Sequence, residues 1–434
     1  MRGAARTDPD TRRAIEAVFR IESAKIIAGL AKIVRDVGVA EELAQDALLA
    51  ALEQWPAAGV PRNPGAWLMG TAKHRAIDWL RRGKRLERKH EQIGRELDAH
   101  GDPNAPDPDA ALDDPVGDAL LRLVFMTCHP VLSPEARVAL TLRLLGGLST
   151  DEIARAYLVP EPTIAQRITR AKRSLAEVRD SFELPRGVDL AERFASVLEV
   201  IYLIFNEGYS ATAGDDWLRP ALCEEALRLG RILAELAPAE PEVHGLVALM
   251  ELQASRSRAR VGAAGEPILL LEQNRAAWDR MLIGRGLAAL ARAEGIAGVQ
   301  GPYALQAAIA ACHARALTAA ETDWARIVKL YEALARLTRS PVVELNRAVA
   351  VAMASGPAAG LELVDALASE PALSTYHLLP SVRGDLLVRL GRHGEARPEF
   401  ERAASLTRNG RERELLLERA RACGEGTTTP SPTA

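Results

Sequence analysis

Residues 133–175 read SPEARVALTLRLLGGLSTDEIARAYLVPEPTIAQRITRAKRSL, and this stretch decides how the first half of the chain is organised. Ser133 followed by Pro134 has the pattern of a helix N-cap with proline at the first helical position. Ser149 caps a second helix, and Glu152 three residues later completes a capping box. Glycine and proline residues separate these helices from each other and from a third. The stretch therefore predicts three short helices, the last two spaced as in a helix-turn-helix.

The third helix begins at Pro162-Thr163 and is apolar on one side and basic on the other. The residues predicted to be buried repeat at helical spacing: Ile153, Ala154 and Tyr157 on the second helix, and Ile164, Ile168, Ala171 and Leu175 on the third. The opposite face of the third helix carries Gln166, Arg167, Arg170, Lys172 and Arg173. A helix with these two faces suits the major groove of DNA, although an ordinary helical hairpin with a solvated basic face has the same pattern.

The composition limits the fold class. The 434 residues are enough for two to four domains with substantial cores. Hydrophobic residues make up 48% of the chain and aromatic residues only 4%, with little β-branched alternation. This profile predicts an all-α protein.

Charge, cysteine usage and hydropathy narrow the class further. The net charge of −3 does not exclude nucleic acid, because positive and negative residues are unevenly distributed along the chain. Four well-separated cysteines, Cys128, Cys223, Cys312 and Cys423, form no CxxC pair and are expected to be reduced, buried and free of metal. An apolar signal core and unbroken runs of about 18 apolar residues are both missing, so we expect a cytoplasmic protein without membrane association.

A helical module precedes the central stretch. The apolar spacing predicts a long helix over residues 11–35, a break at 36–38 and a second helix over 40–54. Residues 55–64, WPAAGVPRNP, hold three prolines and predict a rigid loop, after which a third helix covers 65–82. The second helix is expected to turn outward Glu41, Glu42, Gln45, Asp46 and Glu53. An acidic helix face is usually solvated surface, and its place beside basic neighbours here makes docking on a protein the alternative.

The helix over residues 65–82 is dense in positive charge. Its cationic side chains are Lys73, His74, Arg75, Arg81 and Arg82, and Lys84, Arg85, Arg88 and Lys89 follow immediately. Such density beside aromatic residues is the electrostatic footprint of phosphate contact. Trp67 is better explained by core packing than by stacking on a base. Residues 91–114 then form an aspartate-rich segment with Pro and Gly, which predicts a flexible acidic linker between two basic modules.

This order of features resembles the sigma factors of bacterial RNA polymerase, specifically the extracytoplasmic-function (ECF) type. Residues 42–46, ELAQD, are similar to the family's region 2.2, and residues 66–68 (AWL) with 76–82 (AIDWLRR) are similar to regions 2.3–2.4. Residues 148–171 are similar to region 4.2. The resemblance implies a region 2 domain over residues 12–90 and a region 4 domain over 115–182.

The resemblance also implies roles for individual residues. Contact with the clamp helices of the polymerase largest subunit would fall to Glu42, Leu43, Gln45 and Asp46. Binding of the −10 element would fall to Arg62, Trp67, Lys73, His74, Arg75, Arg81 and Arg82. Base-edge or register contacts at the −35 element would come from Thr163, Gln166 and Arg167, and phosphate contacts from Arg170, Lys172 and Arg173. The partners implied are the polymerase core, including its clamp helices and flap, and promoter DNA.

Two departures from the family pattern stand out. Leu158 occupies a turn position where the family usually has glycine, and Pro162 stands where another small residue is usual. Because leucine disfavours a positive φ, we expect a different turn geometry. The loop over 55–64 also lacks the family's usual residues, so the residue that would hold a flipped −10 base is not identified.

The second half of the chain predicts a further helical region over residues 183–423. A loop is expected at 206–210, and helices are expected at 188–205, 220–236, 241–255, 272–293, 302–316, 323–337, 341–355 and 358–367. Gly384, Leu387, Gly391, Ala396, Phe400 and Ala403 have the small-and-large spacing of a tetratricopeptide (TPR) repeat. A generic helical bundle is the alternative. Residues 424–434 predict a disordered tail.

Together with residues 205–217, FNEGYSATAGDDW, this region is similar to the ECF subgroup that carries a TPR-like C-terminal extension. The resemblance implies that the extension regulates the sigma factor and offers a surface for a protein or peptide partner. A one-component helix-turn-helix regulator with a TPR-like sensor is the alternative, and a TPR scaffold is a third class. We expect neither an enzyme nor a cofactor, because the sequence has no phosphate-binding glycine loop, HExxH or GxSxG motif.

Overall fold

The computed structural model describes residues 9–94, 116–178, 188–211, 214, 216–262, 265–298 and 300–425. Most of the predicted linker and tail lie outside these residues, as do the side chains that follow Arg82 in the third helix. The described part is built from helices, and its only β-pairing consists of two isolated bridges, Gly214 with Asn409 and Val261 with Pro267. The predicted all-α fold is confirmed.

The chain divides into two compact units between Val200 and Ile201. The helices described in the first unit are α1 (Pro9–Val34), α2 (Val37–Ala58), α3 (Pro64–Gly94), α4 (Val116–Thr127), α5 (Pro134–Leu144), α6 (Thr150–Tyr157), α7 (Glu161–Ala176) and the first part of α8 (Val188–Tyr209). The division therefore falls inside α8, beyond the boundary predicted between residues 182 and 183.

The helices α1, α2 and α3 pack around a shared apolar core, and α1 also contacts α4. Buried side chains in these helices include Ile15, Ile26, Leu30, Leu43, Ala47, Trp55, Leu68 and Ala72. Helix α2 begins at once after α1 because Asp36 acts as its N-cap and accepts a hydrogen bond of 2.9 Å from the Val39 amide. The predicted break at residues 36–38 is therefore only a sharp change of direction, with Arg35 at φ 51°.

The prediction of a loop from residue 55 was wrong for its first four residues. Helix α2 continues to Ala58 and includes Pro56. Trp55 is buried and packs edge-to-face on Trp67 with the ring centroids 5.3 Å apart. A proline removes one backbone donor, and burial of the indole favours keeping the last turn helical despite that loss. Gly59 at φ 83° then ends the helix.

The second unit is a run of packed helices that continues from α8. Its helices are α9 (Pro220–Leu236), α10 (Pro241–Ala254), α11 (Arg280–Ala297), α12 (Pro302–Arg315), α13 (Trp324–Thr338), α14 (Pro341–Ser355), α15 (Pro357–Ala366), α16 (Leu378–Arg389), α17 (His393–Leu406) and α18 (Gly410–Glu425). Each helix from α9 to α18 contacts at least one neighbour in sequence, as expected for helices joined by short connections.

Two boundaries in the second unit differ from the predicted ones. Residues 206–209, predicted as a loop, are the last turn of α8. Of residues 272–279, predicted as helical, only Arg275–Ala277 form a short 3-10 helix, and all precede α11, which is capped by the Asp279 carboxylate on the amides of Met281 and Leu282. The reason is side-chain anchoring: buried Arg275 donates to the carbonyl of His313 at 2.8 Å and Trp278 is buried, so this segment is held by its side chains.

The pair α16 and α17 has the close packing that the repeat pattern predicted. Residues 390–392 connect the two helices, with Gly391 at φ 76°. A Cβ on Gly384 would lie 2.8 Å from the ring of Phe400, which is fully buried, so only glycine fits at this crossing. Ala396 and Ala403 are also fully buried. The two helices thus form a tight antiparallel hairpin.

Over the described residues, we find no helix long and apolar enough to cross a membrane. The four cysteines are buried, as predicted.

Candidate nucleic-acid interface

Helices α6 and α7 form the helix-turn-helix. Ser149 caps α6 by accepting from the Glu152 amide at 3.1 Å, and Glu152 accepts in return from the Ser149 amide at 2.7 Å. The predicted capping box is therefore confirmed. Leu158 ends α6 in the left-handed region, at φ 51° and ψ 44°, and Pro160 precedes the first turn of α7.

The turn at Leu158 keeps the geometry that a glycine would give it. The expectation of a different turn was wrong, because leucine adopts the left-handed conformation here despite its Cβ. A non-glycine residue in this region is disfavoured by roughly 1–2 kcal/mol. Leu158 is 54% exposed, so its side chain recovers little of that free energy by packing.

Helix α7 separates an apolar face from a polar one, as predicted. Ile164, Ile168, Ala171 and Leu175 are buried, while on α6 Ile153 and Ala154 are buried and Tyr157 is only partly so. On the polar face, Gln166, Arg170 and Arg173 are exposed, and Thr163 and Arg167 are half-buried. These five side chains lie on one helix that begins just after the turn, where a recognition helix presents its base-reading residues.

Helix α3 presents a second basic surface. Arg62 precedes it in an exposed loop, and His74, Arg81 and Arg82 are exposed on it, whereas Lys73 and Arg75 are half-buried. His74 Nδ1 lies 2.8 Å from the Gly70 carbonyl, one turn back. Trp67 is half-buried against Trp55, which agrees with core packing. Leu68, Ala72 and Ala76 form the buried side of the helix.

Helix α2 carries the residues predicted to bind the polymerase. Glu42 and Asp46 are exposed, and Gln45 is half-buried. Asp46 lies 3.4 Å from Arg75 of α3, so the acidic and basic helices meet at the surface. Leu43 is buried in the core, where it supports the helix from within.

Glu41 is not turned outward as predicted: only 5% of the residue is exposed. Its Oε1 accepts from Arg143 Nε of α5 at 2.7 Å and from Gln45 Nε2 at 2.9 Å, and its Oε2 forms a close ion pair with Lys172 of α7. Lys172, predicted as a phosphate contact, is therefore committed to a carboxylate. Sequence patterns could not find this cluster, because residues 41 and 143 are far apart in the chain and each belongs to an ordinary amphipathic helix.

The first part of α8 packs on the helix-turn-helix module from another side. Arg137 of α5 donates to Ser196 Oγ at 2.9 Å and pairs with Glu199 at 3.2 Å. Ser196 Oγ donates to the Cys128 carbonyl at 2.6 Å, and Arg193 donates to the Phe125 carbonyl at 3.1 Å. This joint, which we call the α8 dock, was not predicted.

The α8 dock perturbs two groups beside it. Burial, together with the nearby charges of Arg193 and Arg137, lowers the pKa of His129 to about 4, so this imidazole is neutral at physiological pH. Burial raises the pKa of the Cys128 thiol, which makes it a poor nucleophile. Among the residues that the structure describes, no group of three or more His, Cys, Asp or Glu side chains is arranged to hold a metal ion.

Three family models match the chain. Residues 21–86 match sigma-70 region 2, residues 122–175 match sigma-70 region 4, and residues 193–294 match a family of unknown function (DUF6596). The first match contains α2 and the described basic part of α3, and the second contains the helix-turn-helix. The third contains most of α8 and continues to α11.

Two curated proteins are similar to the chain. An uncharacterized protein of Rhizobium meliloti is 45% identical over 387 residues, which cover 89% of this chain and 90% of that protein. The RNA polymerase sigma-E factor of Streptomyces avermitilis is 26% identical over 179 residues, covering 41% of this chain and 92% of that protein. No solved structure matches the chain.

Proposed function

Because the chain belongs to the sigma-70 family of RNA polymerase sigma factors, we propose that it acts as an ECF-type member whose activity is modulated by its C-terminal helical region. Sigma factors bind core polymerase and promoter DNA and initiate transcription. The ECF type has region 2 and region 4 as its two main modules, and here these account for the first unit. The single observation that carries the proposal is the presence of both modules, each with an exposed basic helix, α3 and α7.

We assign a separate task to each basic helix. Exposed cations on α3, such as Arg81 and Arg82, would hold the −10 element while the duplex opens. On α7, Gln166 and Arg167 would face base edges of the −35 element, and Arg170 and Arg173 would contact phosphates. Glu42, Gln45 and Asp46 of α2 would dock on the clamp helices of the polymerase. Binding energy alone drives these steps, so no catalytic residue is needed.

The modulation by the C-terminal region is supported by the α8 dock. Residues Arg193 and Ser196, which belong to the segment that follows the helix-turn-helix module, bond directly to backbone carbonyls at the end of α4. A change in the position of α8 would therefore be felt by the module that carries α7. Packed helix pairs such as α16 and α17 are TPR-like in their spacing, and we propose that this region binds a protein or peptide partner.

Transcription in vitro tests the proposal. The purified chain is added to bacterial core polymerase and a library of promoter fragments, and transcripts are sequenced. We expect transcripts that start at a defined distance from a shared pair of elements, which core polymerase alone does not produce. Sequence-specific DNA binding without any effect on polymerase would instead support a one-component regulator.

The modulation is tested with two changed proteins. One ends at residue 182, and the other is the full-length chain with Arg193→Gln and Ser196→Ala, which keeps the C-terminal region but removes the bonds that Arg193 and Ser196 make in the α8 dock. We expect both to differ from the full-length protein in transcript yield at the same promoters. Equal yields from all three proteins would exclude modulation through this joint.

A further inference from the structure

Glu41 lies where the two DNA-binding modules of the first unit meet. It belongs to α2 of the region 2 module, whereas both cations that it binds, Arg143 and Lys172, belong to the region 4 module. The Glu41 side chain is 7% exposed, and those of Arg143 and Lys172 are 23% and 24% exposed. Removing one partner of an ion pair buried in this way is strongly destabilising for the closed arrangement, because the other partner is left as a buried charge without its counterion.

A second ion pair crosses the same boundary and differs in burial. Arg20 of α1 lies 3.6 Å from Glu152 of α6, and these side chains are 51% and 39% exposed. Exposed pairs of this kind contribute little to stability. The chain thus offers a matched control for Glu41: a carboxylate–cation contact between the same two modules, but in solvent.

In the arrangement that Glu41 stabilises, α3 and α7 contact α2 at points that lie closer together than the two promoter elements. Helices α3 and α7 both contact α2, whose 22 residues span about 33 Å at 1.5 Å per residue. A −35 and a −10 element are separated by about 25 base pairs, or about 85 Å of duplex at 3.4 Å per pair. Because the points at which α3 and α7 touch α2 lie within about 33 Å of each other, less than half of that distance, we infer that the modules separate when the chain binds both elements.

We propose that Glu41, Arg143 and Lys172 form an intramolecular lock that keeps the free chain closed and withholds Lys172 from DNA phosphates. This inference rests on the proposed function, since it names the regulation of the same DNA-binding surface. The lock exchanges one anion for another: Lys172 binds the Glu41 carboxylate in the closed chain and a phosphate in the open one.

The lock is also connected to the surface of α2 that is assigned to polymerase docking. Gln45, one of the residues assigned to polymerase docking, donates to the same Glu41 Oε1 that accepts from Arg143. A partner that draws Gln45 away removes one of the hydrogen bonds that orient this carboxylate. Docking on α2 and closure of the lock are then coupled, and each weakens the other.

The test compares Glu41→Gln and Arg20→Gln with the wild-type full-length chain, in the absence of polymerase. The probe is a fluorescent 40-base-pair duplex of random sequence, because a phosphate contact carries no sequence information. We expect E41Q to bind at least about fivefold more tightly at 0.1 M salt, with a slope of log K against log salt steeper by about one, since one cation is freed. We expect R20Q to match the wild type.

A distance measurement reports opening directly. Spin labels are placed on exposed positions of α2 and α7 through Glu53→Cys and Ala165→Cys, while the four native cysteines are buried. We expect a single narrow distance in the wild-type and R20Q backgrounds. In E41Q we expect a broad distribution that extends by more than about 10 Å, the diameter of a helix. Arg143→Gln, which alters neither α2 nor a DNA-binding residue, should open the chain in the same way if E41Q does not fold.

Two results separate the lock from the proposed function. If the wild type directs transcription but E41Q and R143Q give the distances and DNA affinities of R20Q, the lock is overturned and the proposed function stands. If E41Q opens and binds DNA more tightly but the wild type never directs transcription, the lock stands and the proposed function fails.

Discussion

The basic helices α3 and α7 carry the same kind of charge but differ in how much of it is available. On α3, the cation that pairs with a carboxylate among the described residues is Arg75, whose contact with Asp46 is 3.4 Å long and solvent-exposed. On α7, Lys172 is paired with a carboxylate that is almost completely buried. An exposed pair contributes at most about 1 kcal/mol, so Arg75 can leave Asp46 easily. The charge density of the sequence therefore predicts well how many cations of α3 are available to bind DNA, but it overestimates that number for α7.

The largest effect is expected from reversing the free charges of α7. Arg170→Glu with Arg173→Glu should weaken DNA binding at all promoters about equally and reduce the salt slope by about two, because phosphate contacts carry no sequence information. Titration of several promoter fragments at a series of salt concentrations measures this. As a control, Arg336→Glu with Arg402→Glu makes the same charge change on exposed residues of the second unit and should have little effect. Loss of binding at one promoter class alone would contradict the assignment.

A base-reading residue of α7 should behave differently from its phosphate contacts. Gln166→Ala should change the preferred −35 sequence, with a loss of discrimination of about 1–3 kcal/mol at one base pair. Selection from a randomised −35 library, read by sequencing bound fragments, measures this preference. An unchanged preference would indicate that another face of α7 enters the groove. The comparison of α7 with α3 would then have to be made with the residues on that other face.

The turn before α7 can be relaxed without touching its charges. Leu158→Gly should stabilise the helix-turn-helix module by about 1 kcal/mol, because glycine adopts the left-handed conformation without steric cost and the leucine side chain is largely exposed. Hydrogen exchange of the amides in α6 and α7 measures the local stability. Leu158→Ala keeps the unfavourable backbone conformation and should not be stabilising, and equal exchange in the two variants would contradict this explanation.

The smallest effect is expected at the exposed pair between α2 and α3. Asp46→Asn should lower the free energy of unfolding by less than about 1 kcal/mol, because the side chains of Arg75 and Asp46 are 36% and 53% exposed and their attraction is screened by solvent. Denaturant unfolding followed by tryptophan fluorescence reports it through Trp55 and Trp67, which pack on each other between the same two helices. A destabilisation of clearly more than about 1 kcal/mol would contradict the small contribution expected of an exposed pair.

Local features of this chain were predictable because they depend on nearby residues. The capping box at Ser149 and Glu152, the buried face of α7 and the Gly384–Phe400 crossing each follow from short-range spacing. Helix ends were less predictable where tertiary burial overrides local preference, as at Trp55, which keeps α2 helical through Pro56. At Leu158, the surrounding helices impose a backbone conformation that the residue itself disfavours.

The candidate site was predictable in its composition but not in its connections. The exposed cations of α3 and α7 were identified from charge and period alone. Glu41 was placed on the wrong side of α2, because a carboxylate is expected in solvent unless a partner is known, and its partners lie about a hundred positions further along the chain. The α8 dock was missed for the same reason: its bonds run from side chains to carbonyls that no sequence motif marks.

The carboxylate of Glu152 makes one contact within the helix-turn-helix and one with the region 2 module. One oxygen accepts from the Ser149 amide inside the helix-turn-helix, and the other faces Arg20 of another helix across solvent. When the modules move apart, only the second contact is lost, so the start of α6 and the direction of α7 are unchanged. The helix-turn-helix, which would read the bases, thus keeps its own structure when the modules separate. Its preferred DNA sequence should be the same whether or not the rest of the first unit is packed against it.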